Sequence, residues 1–212
     1  GMAASVCKTR DTNPRSIYEK YLGELQNLMR RGTGKTPAAR QPYTNSGERA
    51  PRRPVNLAVP SWLKEAGENL ARTARVRTPD APDTGIQTSL LLNDGNGNVQ
   101  DNSARWVNRT ALPHTIEFNW DKPVNLSATR IISGYYTGSS VVAPLSNFTL
   151  QWHDGTEWKD VLASVEANTN PAWAAVFPPV RTRQLRLLVT KTQNDISRIW
   201  EVEFYKPSTE SP

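Results

Sequence analysis

The most unusual stretch of the sequence is a polar loop, NDGNGNVQDNS, which follows the apolar residues LLL and precedes Arg105 and Trp106. Its eleven residues include two Asp, four Asn and two Gly, although a plain turn needs only about two to five residues. Asp and Asn side chains readily accept hydrogen bonds from the backbone nearby, so a solvated loop held by such bonds is one interpretation. So many oxygen-bearing side chains at one corner nevertheless require a reason.

The side chains that commonly perform catalysis are few and poorly placed for it. His114 opens a predicted strand and His153 precedes a tight turn, and neither has a spacing to Cys, Asp or Glu that is typical of a zinc site. Glu201 and Glu203 lie on one face of one strand, whereas the two carboxylates of a glycosidase flank a cleft from separate elements. The G-x-S-x-G motif of serine hydrolases is absent. We therefore expect no catalytic residues in this chain.

The formal net charge of +6 comes from the first third of the chain. Residues 1–68 contain 12 Lys and Arg against 6 Asp and Glu, whereas residues 69–212 contain 14 against 14. A nucleic-acid groove needs basic residues clustered on the folded domain, so this distribution argues against nucleic acid as a partner. No apolar stretch approaches the length of about 18 residues that indicates a membrane span. The single cysteine, Cys7, cannot form an internal disulfide.

Residues 1–68 differ in kind from the rest of the chain. Asn13-Pro14 is typical of a helix start. The apolar residues that recur on one face of this predicted helix are Ile17, Tyr21, Leu25, Leu28 and Met29. Residues 32–60 are rich in Gly, Pro, Arg, Ser and Thr, which indicates a linker or an extended arm. The segment PSWLKEAGENLA predicts a second short helix, with Trp62 and Leu63 as the side chains that dock it.

From Asn69 onwards the apolar residues alternate with a period of two, which predicts β-strands. The predicted strands are HTIEFNW, NFTLQWH, RQLRLLV and RIWEVEFY. Their predicted inward-facing residues are Ile116, Phe118, Trp120, Phe148, Leu150, Trp152, Leu185, Leu187, Val189, Trp200, Val202 and Phe204. Short strands with a turn at about every 8–12 residues, and no helix between them, predict an all-β fold, an antiparallel sandwich of the jelly-roll type.

The order of these pieces resembles the discoidin, or coagulation-factor C-type, domain of the galactose-binding-like superfamily. The motifs that carry the resemblance are NLARTARV, LNDGN with a Trp after the polar loop, LPHTIEFNWDKPVNLSATRI, FTLQWHDGTEWKDV, VRTRQLRLLVT and RIWEVEFY. In type the chain looks most like the carbohydrate-binding modules attached to bacterial glycoside hydrolases and polysaccharide lyases. The resemblance covers about residues 69–206. It leaves residues 1–68 as an N-terminal helix with a Pro/Arg-rich arm or linker, and residues 207–212 as a tail.

The resemblance implies a structural Ca²⁺ that ties the polar loop to the last strand. Such a cation takes about six to eight oxygen ligands, several of them backbone carbonyls. Carried over by position, the ligands would be Leu91, Asp94, Asn96, Ser103, Ala104, Trp200 and Glu201. The loop is longer here than in the family between Gly97 and Ser103, so Asp101 and Asn102 are alternatives to Ser103 and Ala104. A solvated loop without a metal remains the other interpretation.

A sugar site needs an exposed aromatic face and a few fixed polar groups. Galactose-binding relatives often place a His after the loop Trp and an Arg in a later loop. This chain has Val107, Asn108 and Arg109 at the first place and GYYTGSS at the second, so galactose specificity is not implied. The remaining candidate ligand-binding residues are Tyr135, Tyr136, Trp173, Arg105, Arg109 and Asn170.

The aromatic candidates differ in how they should be placed. By strand alternation one of Tyr135 and Tyr136 should face inward, so at most one of them is a sugar platform. Trp173 follows Pro171 in a loop-like stretch, where an exposed platform and a cover for the core are equally consistent with the sequence. The tryptophans at inward or hairpin positions, which we expect to be packing residues, are Trp120, Trp152, Trp158 and Trp200.

Two functions of different class are consistent with these observations. In the first, the chain is a non-catalytic carbohydrate-binding module that targets a larger secreted polysaccharide-degrading enzyme to its glycan. The alternative is a sandwich that serves as an interaction or packing domain of such an enzyme, without a sugar site. The expected partners are a glycan and the neighbouring domains of the parent enzyme. The resemblance implies a secreted, periplasmic or cell-surface location, although the start GMAASVCKTR lacks the apolar segment of a signal peptide.

Overall fold

The computed structural model describes residue 55, residues 57–81, residue 83 and residues 88–206. In this part of the chain the strands are β1 (Arg75–Arg77), β2 (Trp106–Asn108), β3 (His114–Ser133), β4 (Tyr135–Tyr136), β5 (Val141–Val142), β6 (Asn147–His153), β7 (Trp158–Asp160), β8 (Ala172–Lys191) and β9 (Ser197–Tyr205). The helices are short 3-10 turns at Ser61–Lys64, Leu70–Thr73, Ser89–Leu92, Asn102–Ala104 and Gln193–Asp195. All strand pairs are antiparallel, which confirms the predicted fold class.

The main sheet has the strand order β2-β9-β3-β8-β6-β7, with β1 also paired to β3, and β4 and β5 form a separate ribbon. Strands β3 and β8 contain 20 residues each and pair with each other on both sides of two register shifts, at 119/124 and 126/128. Bulges of this kind bend a strand from one layer of a sandwich into the other. The first half of β3 therefore lies in a layer with β1, β6 and β7, and its second half lies in a layer with β9 and β2.

The core lies between these two layers. The rings of Phe118 from one layer and Phe204 from the other meet edge to face, with centroids 5.0 Å apart. The alternation predicted for the strands is confirmed almost throughout. The predicted inward residues that are buried in this core are Ile116, Phe118, Trp120, Phe148, Leu150, Leu185, Leu187, Val189, Val202 and Phe204, and Trp152 packs against them half-buried.

The position of Trp200 differs from the alternation predicted for β9. Its side chain is fully buried, but it packs with Val99, Ile132 and Tyr136, away from the core that contains Val202. The cause is a register shift in β9, where Ile132 pairs with Glu201 but the next residue of β3 pairs with Ile199. The extra residue is Trp200, so strict alternation fails at this point. We call the side of β9 and β3 that faces away from the core the outer face.

The N-terminal predictions are only partly covered by the described residues. The predicted helix at Ile17 to Met29 and most of the predicted arm lie outside them. The single helix predicted over PSWLKEAGENLA is wrong, since the chain forms two 3-10 turns, Ser61–Lys64 and Leu70–Thr73, with Gly67 between them at a φ of +72°. Trp62 packs edge-on against Tyr205 with ring centroids 5.8 Å apart, as the docking prediction requires. Within the described residues, no helix has the length and apolarity that crossing a membrane requires.

Candidate functional site

The polar loop is held together by its own side chains. Four of them accept a hydrogen bond from the backbone N–H two residues further on, which is the Asx-turn geometry. These bonds are Asn96 N–H to Asp94 at 2.8 Å, Asn98 N–H to Asn96 at 3.2 Å, Gln100 N–H to Asn98 at 3.2 Å and Ser103 N–H to Asp101 at 2.8 Å. The self-bonding predicted for an Asx-rich loop is therefore present, and it explains why Asp and Asn recur at this spacing.

The loop covers the outer face of the sheet and is tied directly to β9. The backbone N–H of Gly95 donates to Glu201 at 3.0 Å, and the indole N–H of Trp200 donates to the carbonyl of Asp101 at 2.8 Å. At Gly97 a Cβ atom would lie only 2.9 Å from the Cδ1 atom of Ile132. The loop therefore runs flat across these side chains, and its length is what covering this face requires.

Asp94 of the loop and Glu201 of β9 interact with each other, and we call them the acidic pair. Glu201 is only 1% exposed, and its other partner is the amide of Asn69 at 3.4 Å. Burial raises the pKa of Glu201 to about 8, and the charges of Asp94 and Glu203 add to the rise. Glu203 has its own cation, Arg130, at 3.5 Å. The acidic pair has no such cation among the described residues.

The structure is consistent with part of the ligand set predicted for a cation at the acidic pair. The set includes Asp94 and Glu201, which are far apart in sequence and interact in the structure. Ser103 instead donates both its N–H and its hydroxyl to the Asp101 carboxylate, at 2.8 and 2.6 Å. Within the described residues no group of three or more His, Cys, Asp and Glu side chains converges on one point. A cation here would therefore need backbone oxygens, which is what Ca²⁺ accepts.

A second charged cluster lies on the outer face at the other side of Trp200. In β2, Trp106 and Asn108 are buried, so the residues that alternate with them point to the outer face. Val107 pairs with Arg198 of β9, which places Arg198 on the outer face. It lies there beside Arg105 and Arg109, which are two positions before and two positions after Val107. We call Arg105, Arg109 and Arg198 the basic cluster.

Arg105 is the anchor of the basic cluster. Its side chain is only 8% exposed, and one guanidinium nitrogen, Nη1, donates to the side chain of Asn102 at 2.8 Å and to the carbonyl of Gly134 at 3.1 Å. The guanidinium carbon lies 4.8 Å from the ring centroid of Tyr135 and 5.6 Å from that of Trp200. Such cation–π contacts hold the arginine against both rings. Tyr135 itself is 42% exposed.

The charges of the basic cluster act on one another. Burial, followed by the positive charge of Arg198, lowers the pKa of Arg105. Burial and then the charge of Arg109 lower the pKa of Arg198. Arg198 is absent from the residues predicted by sequence, because β2 is only three residues long and pairs with a strand that is distant in sequence. Strict alternation with Trp200, Val202 and Phe204 would have turned Arg198 inward, so the sequence pattern carried no signal for its outward position.

The predicted tyrosine pair behaves as alternation requires. Tyr136 is buried, and its hydroxyl donates to the carbonyl of Gly138 at 2.6 Å. Asn102 holds its backbone on both sides, since the amide nitrogen donates to the Tyr136 carbonyl at 2.8 Å and the amide oxygen accepts from its N–H at 3.1 Å. Asn102 is therefore a support for Tyr135 and Arg105.

Trp173 and Asn170 are placed away from these residues. Trp173 packs edge-on against Phe148 at 5.0 Å and borders the core, the arrangement expected of a core cover. Asn170 is in another Asx turn, in which its side chain accepts from the N–H of Ala172 at 3.0 Å. Of the predicted ligand-binding residues, the structure thus brings together Arg105, Arg109 and Tyr135, with Tyr136 beneath them.

The two histidines have structural contacts. His114 is fully buried between the hydroxyl of Ser197 at 2.7 Å and the carbonyl of Thr110 at 3.0 Å. His153 packs edge-on against Trp158, with ring centroids 5.1 Å apart, and accepts from the N–H of Gly155 at 3.1 Å. The prediction that both are strand-end packing residues agrees with these contacts.

Comparison with known proteins gives a clear result at the level of structure alone. No profile of a known protein family matches the chain, and no curated protein matches it. Among solved structures, the family 32 carbohydrate-binding module of Streptococcus pneumoniae EndoD superimposes with a TM-score of 0.56 at 19% identity, over 66% of this chain and 99% of that one. The chitosan-binding module 2 of a Paenibacillus sp. IK-5 chitosanase/glucanase, solved with chitotriose, gives 0.53 at 19%, over 65% and 99%.

A larger structure contains the same fold as one part. SpGH29 superimposes with a TM-score of 0.56 at 18% identity, and the match covers 68% of this chain but only 29% of that one. The chain thus has the fold of family 32 carbohydrate-binding modules, as the resemblance in its sequence implied.

Proposed function

We propose that this chain is a non-catalytic carbohydrate-binding module whose ligand packs on the exposed ring of Tyr135. The observation that carries the proposal is this ring, 42% exposed and 4.8 Å from the Arg105 guanidinium. A pyranose presents a face of C–H groups that packs flat on an aromatic ring, and its hydroxyls need fixed polar groups beside the ring. Arg109 and Arg198 offer such groups on the same face.

The site is held in place before any ligand arrives. Asn102 bonds both the Arg105 guanidinium and the backbone of Tyr136, and Gly134 accepts from Arg105 while its own N–H donates to the carbonyl of Arg198 at 2.9 Å. These bonds fix the strand on which Tyr135 sits. A binding surface that is ordered in advance loses little conformational entropy on binding, which favours affinity.

The structural neighbours support the ligand class. The EndoD module is a carbohydrate-binding module, and the Paenibacillus module was solved with a bound chitotriose. At 19% identity only the class of ligand, a carbohydrate, is carried over to this chain. The particular sugar must come from this chain's own side chains, because the expected galactose-binding His and Arg are missing from its loops.

The role we propose for binding is to target a larger enzyme to its substrate. The match between this chain and SpGH29 covers 29% of SpGH29, so the fold occurs as one part of a longer chain. A module that binds a polysaccharide weakly raises the local concentration of whatever is joined to it. The parent would then be a polysaccharide-degrading enzyme, and its place would be outside the cytoplasm, where such polymers are found.

We also propose a structural Ca²⁺ at the acidic pair. Asp94 and Glu201 would hold it with their carboxylates, and backbone oxygens of Leu91, Asn96 and Trp200 would complete the set. Two carboxylates, one of them buried without a cation of its own, are costly unless a positive charge compensates them. The ion would supply that charge and would fasten the polar loop to β9.

Affinity electrophoresis through gels containing plant, algal and host polysaccharides tests the carbohydrate proposal. We expect one polysaccharide to retard the wild type and Tyr135→Ala to weaken binding about tenfold, since an aromatic contact is worth about 0.5–1.5 kcal/mol beyond its buried area. Val176→Ala is the matched control, because it removes an exposed apolar side chain, 63% exposed, from β8. That variant should migrate like the wild type.

Two outcomes would overturn the proposal. Equal retardation of Tyr135→Ala and the wild type would remove Tyr135 from the site. Unretarded migration of a correctly folded wild type on every polysaccharide would leave the sandwich as a packing domain. The same gels, run with calcium and with chelator, test whether the metal changes the mobility of the chain. Thermal unfolding under the same two conditions tests whether it changes the melting temperature.

A further inference from the structure

The basic cluster makes only neutral contacts. The Arg105 guanidinium bonds the Asn102 amide and the Gly134 carbonyl, and the Arg198 guanidinium donates to the carbonyl of Ile196 at 3.3 Å. The ion pairs of the described residues use Arg75, Arg130 and Lys159. None of them includes a member of the basic cluster.

This absence of counter-charge is costly because the cluster is partly buried. Arg105 is 92% removed from solvent, as its 8% exposure gives, and its Nε atom has no hydrogen-bond partner within the described residues. Like charges held together at reduced solvation repel one another. Because the guanidinium groups keep their protons at ordinary pH, a bound anion would relieve this repulsion.

We propose that the glycan bound at Tyr135 is anionic, with a carboxylate or sulfate group seated on the basic cluster. The inference rests on the proposed function and names the class of sugar for that same site. A guanidinium presents planar N–H groups that match the two oxygens of a carboxylate or sulfate, and charge-assisted bonds of this kind are about twice as strong as neutral ones. The sugar ring would pack on Tyr135 while its acidic group faces Arg109 and Arg198.

The position of the cluster makes it selective as well as attractive. Trp200 lies between Arg198 and Glu201 along β9, and Glu201 is only 1% exposed, so its carboxylate offers an anion little repulsion at the exposed ring of Tyr135. A cationic glycan such as a chitosan fragment would meet three arginines and should be rejected. A neutral sugar would not compensate the positive charges of the basic cluster and would bind weakly.

Isothermal titration calorimetry with trigalacturonate and with its carboxyl-reduced form separates these cases, because the two probes differ only at C6, which is a carboxylate in one and a hydroxymethyl group in the other. We expect trigalacturonate, or a sulfated probe such as chondroitin sulfate tetrasaccharide, to bind at least about tenfold more tightly than the reduced form, since a bond to a charged group exceeds a neutral one by about that factor. Which of the two probes binds identifies the acidic group. Affinity should fall between about 20 and about 300 mM salt, over which the screening length shortens several-fold.

Matched variants test whether this cluster is the cause. Arg198→Gln should remove the preference for the acidic probe, and Arg198→Lys should restore only part of it, because an ammonium lacks the planar fork. Arg183→Gln removes the same charge from an exposed position on β8 and should leave affinity unchanged. This control also measures attraction to the net charge of the chain, whose basic excess lies in residues 1–68.

The outcomes separate this inference from the proposed function. Equal binding of the reduced and the acidic probe, lost in Tyr135→Ala, would leave a carbohydrate-binding module and overturn its preference for anions. Binding of the acidic probe that survives both Tyr135→Ala and Arg198→Gln would place the contact elsewhere and overturn both. Absence of binding to every probe would overturn the preference for anions, and the polysaccharide gels would then decide whether the chain binds carbohydrate at all.

Discussion

The outer face of β9 carries two clusters of like charge, and they differ in access to solvent. Arg198 belongs to the basic cluster and Glu201 to the acidic pair, only three positions along the strand, with the buried Trp200 between them. Glu201 is 1% exposed, whereas Tyr135, beside the arginines, is 42% exposed. A buried carboxylate such as that of Glu201 can be compensated by a small ion, while an arginine cluster beside an exposed aromatic ring has room for a larger ligand. This difference in access is the reason why we propose a structural role for one cluster and a binding role for the other.

Trp200→Ala should have the largest effect, because both clusters depend on this one side chain. The indole is fully buried, donates to the Asp101 carbonyl and lies under the Arg105 guanidinium. Removing a buried Trp costs about 3–5 kcal/mol, and we expect glycan binding and the effect of calcium to be lost together. Urea denaturation gives the free energy of unfolding.

Trp158→Ala provides the comparison for that variant. Trp158 is half-buried in the β6–β7 hairpin, where the Arg186 guanidinium lies 4.4 Å from its ring, and it touches neither cluster. A smaller loss of stability with binding intact is expected. If Trp200→Ala kept either calcium response or glycan binding at wild-type strength, the two clusters would be independent of each other.

The core of the fold could be predicted from sequence because alternation is a local property. Leu185, Leu187 and Val189 face inward, as the period of two requires. Trp200 broke the rule because a bulge depends on pairing between strands, which no run of residues along one strand reveals. Arg198 was missed for a related reason, since only its pairing with Val107 places it beside Arg105 and Arg109.

The sequence predicted the Asx turns of the polar loop but not the contacts that the loop makes with distant residues. The composition of NDGNGNVQDNS indicated Asx turns, and four of these form. The metal ligands implied by family position include Asp94 and Glu201, whose side chains interact in the structure, and the binding of Ca²⁺ by them stays a prediction. The role of Asn102 as a support for Tyr136 could not be predicted, because it depends on a residue more than thirty positions away.

The acidic pair predicts a distinct dependence of stability on pH. The folded pKa of Glu201 is raised from 4.5 to about 8, so folding favours its protonated form. In chelator this contribution is complete below pH 4.5 and is lost as pH rises through about 8. One pKa unit corresponds to about 1.4 kcal/mol, so we expect a loss of a few kcal/mol. Thermal unfolding at a series of pH values in chelator measures it.

Added calcium and a substitution of Glu201 test this pH dependence of stability in two different ways. A cation favours the ionised carboxylates, so excess calcium should abolish the loss of stability at high pH. Glu201→Gln should abolish it in chelator and also remove the response to calcium, while Glu166→Gln, at an exposed position, should leave both unchanged. A pH profile of Glu201→Gln identical to that of the wild type would show that another group titrates.

Gly134→Ala should have a smaller effect on stability than Trp200→Ala and should affect the basic cluster alone. Gly134 has a φ of +129°, and a Cβ atom there would lie 2.6 Å from the Val142 carbonyl oxygen. A residue held in such a conformation costs about 1–3 kcal/mol, and the backbone must shift to relieve the contact. Because the Gly134 carbonyl accepts from Arg105, that shift displaces Arg105 and Tyr135.

Gly138→Ala separates strain from displacement. Gly138 has a φ of +103°, but a Cβ atom there meets nothing within 4 Å, so the variant suffers the strain without the collision. Both variants should lose stability, and only Gly134→Ala should lose glycan affinity while keeping its response to calcium. Equal affinities for the two variants would mean that the basic cluster tolerates movement of its support. Recognition would then depend on the charge of the arginines rather than on their exact placement against Tyr135.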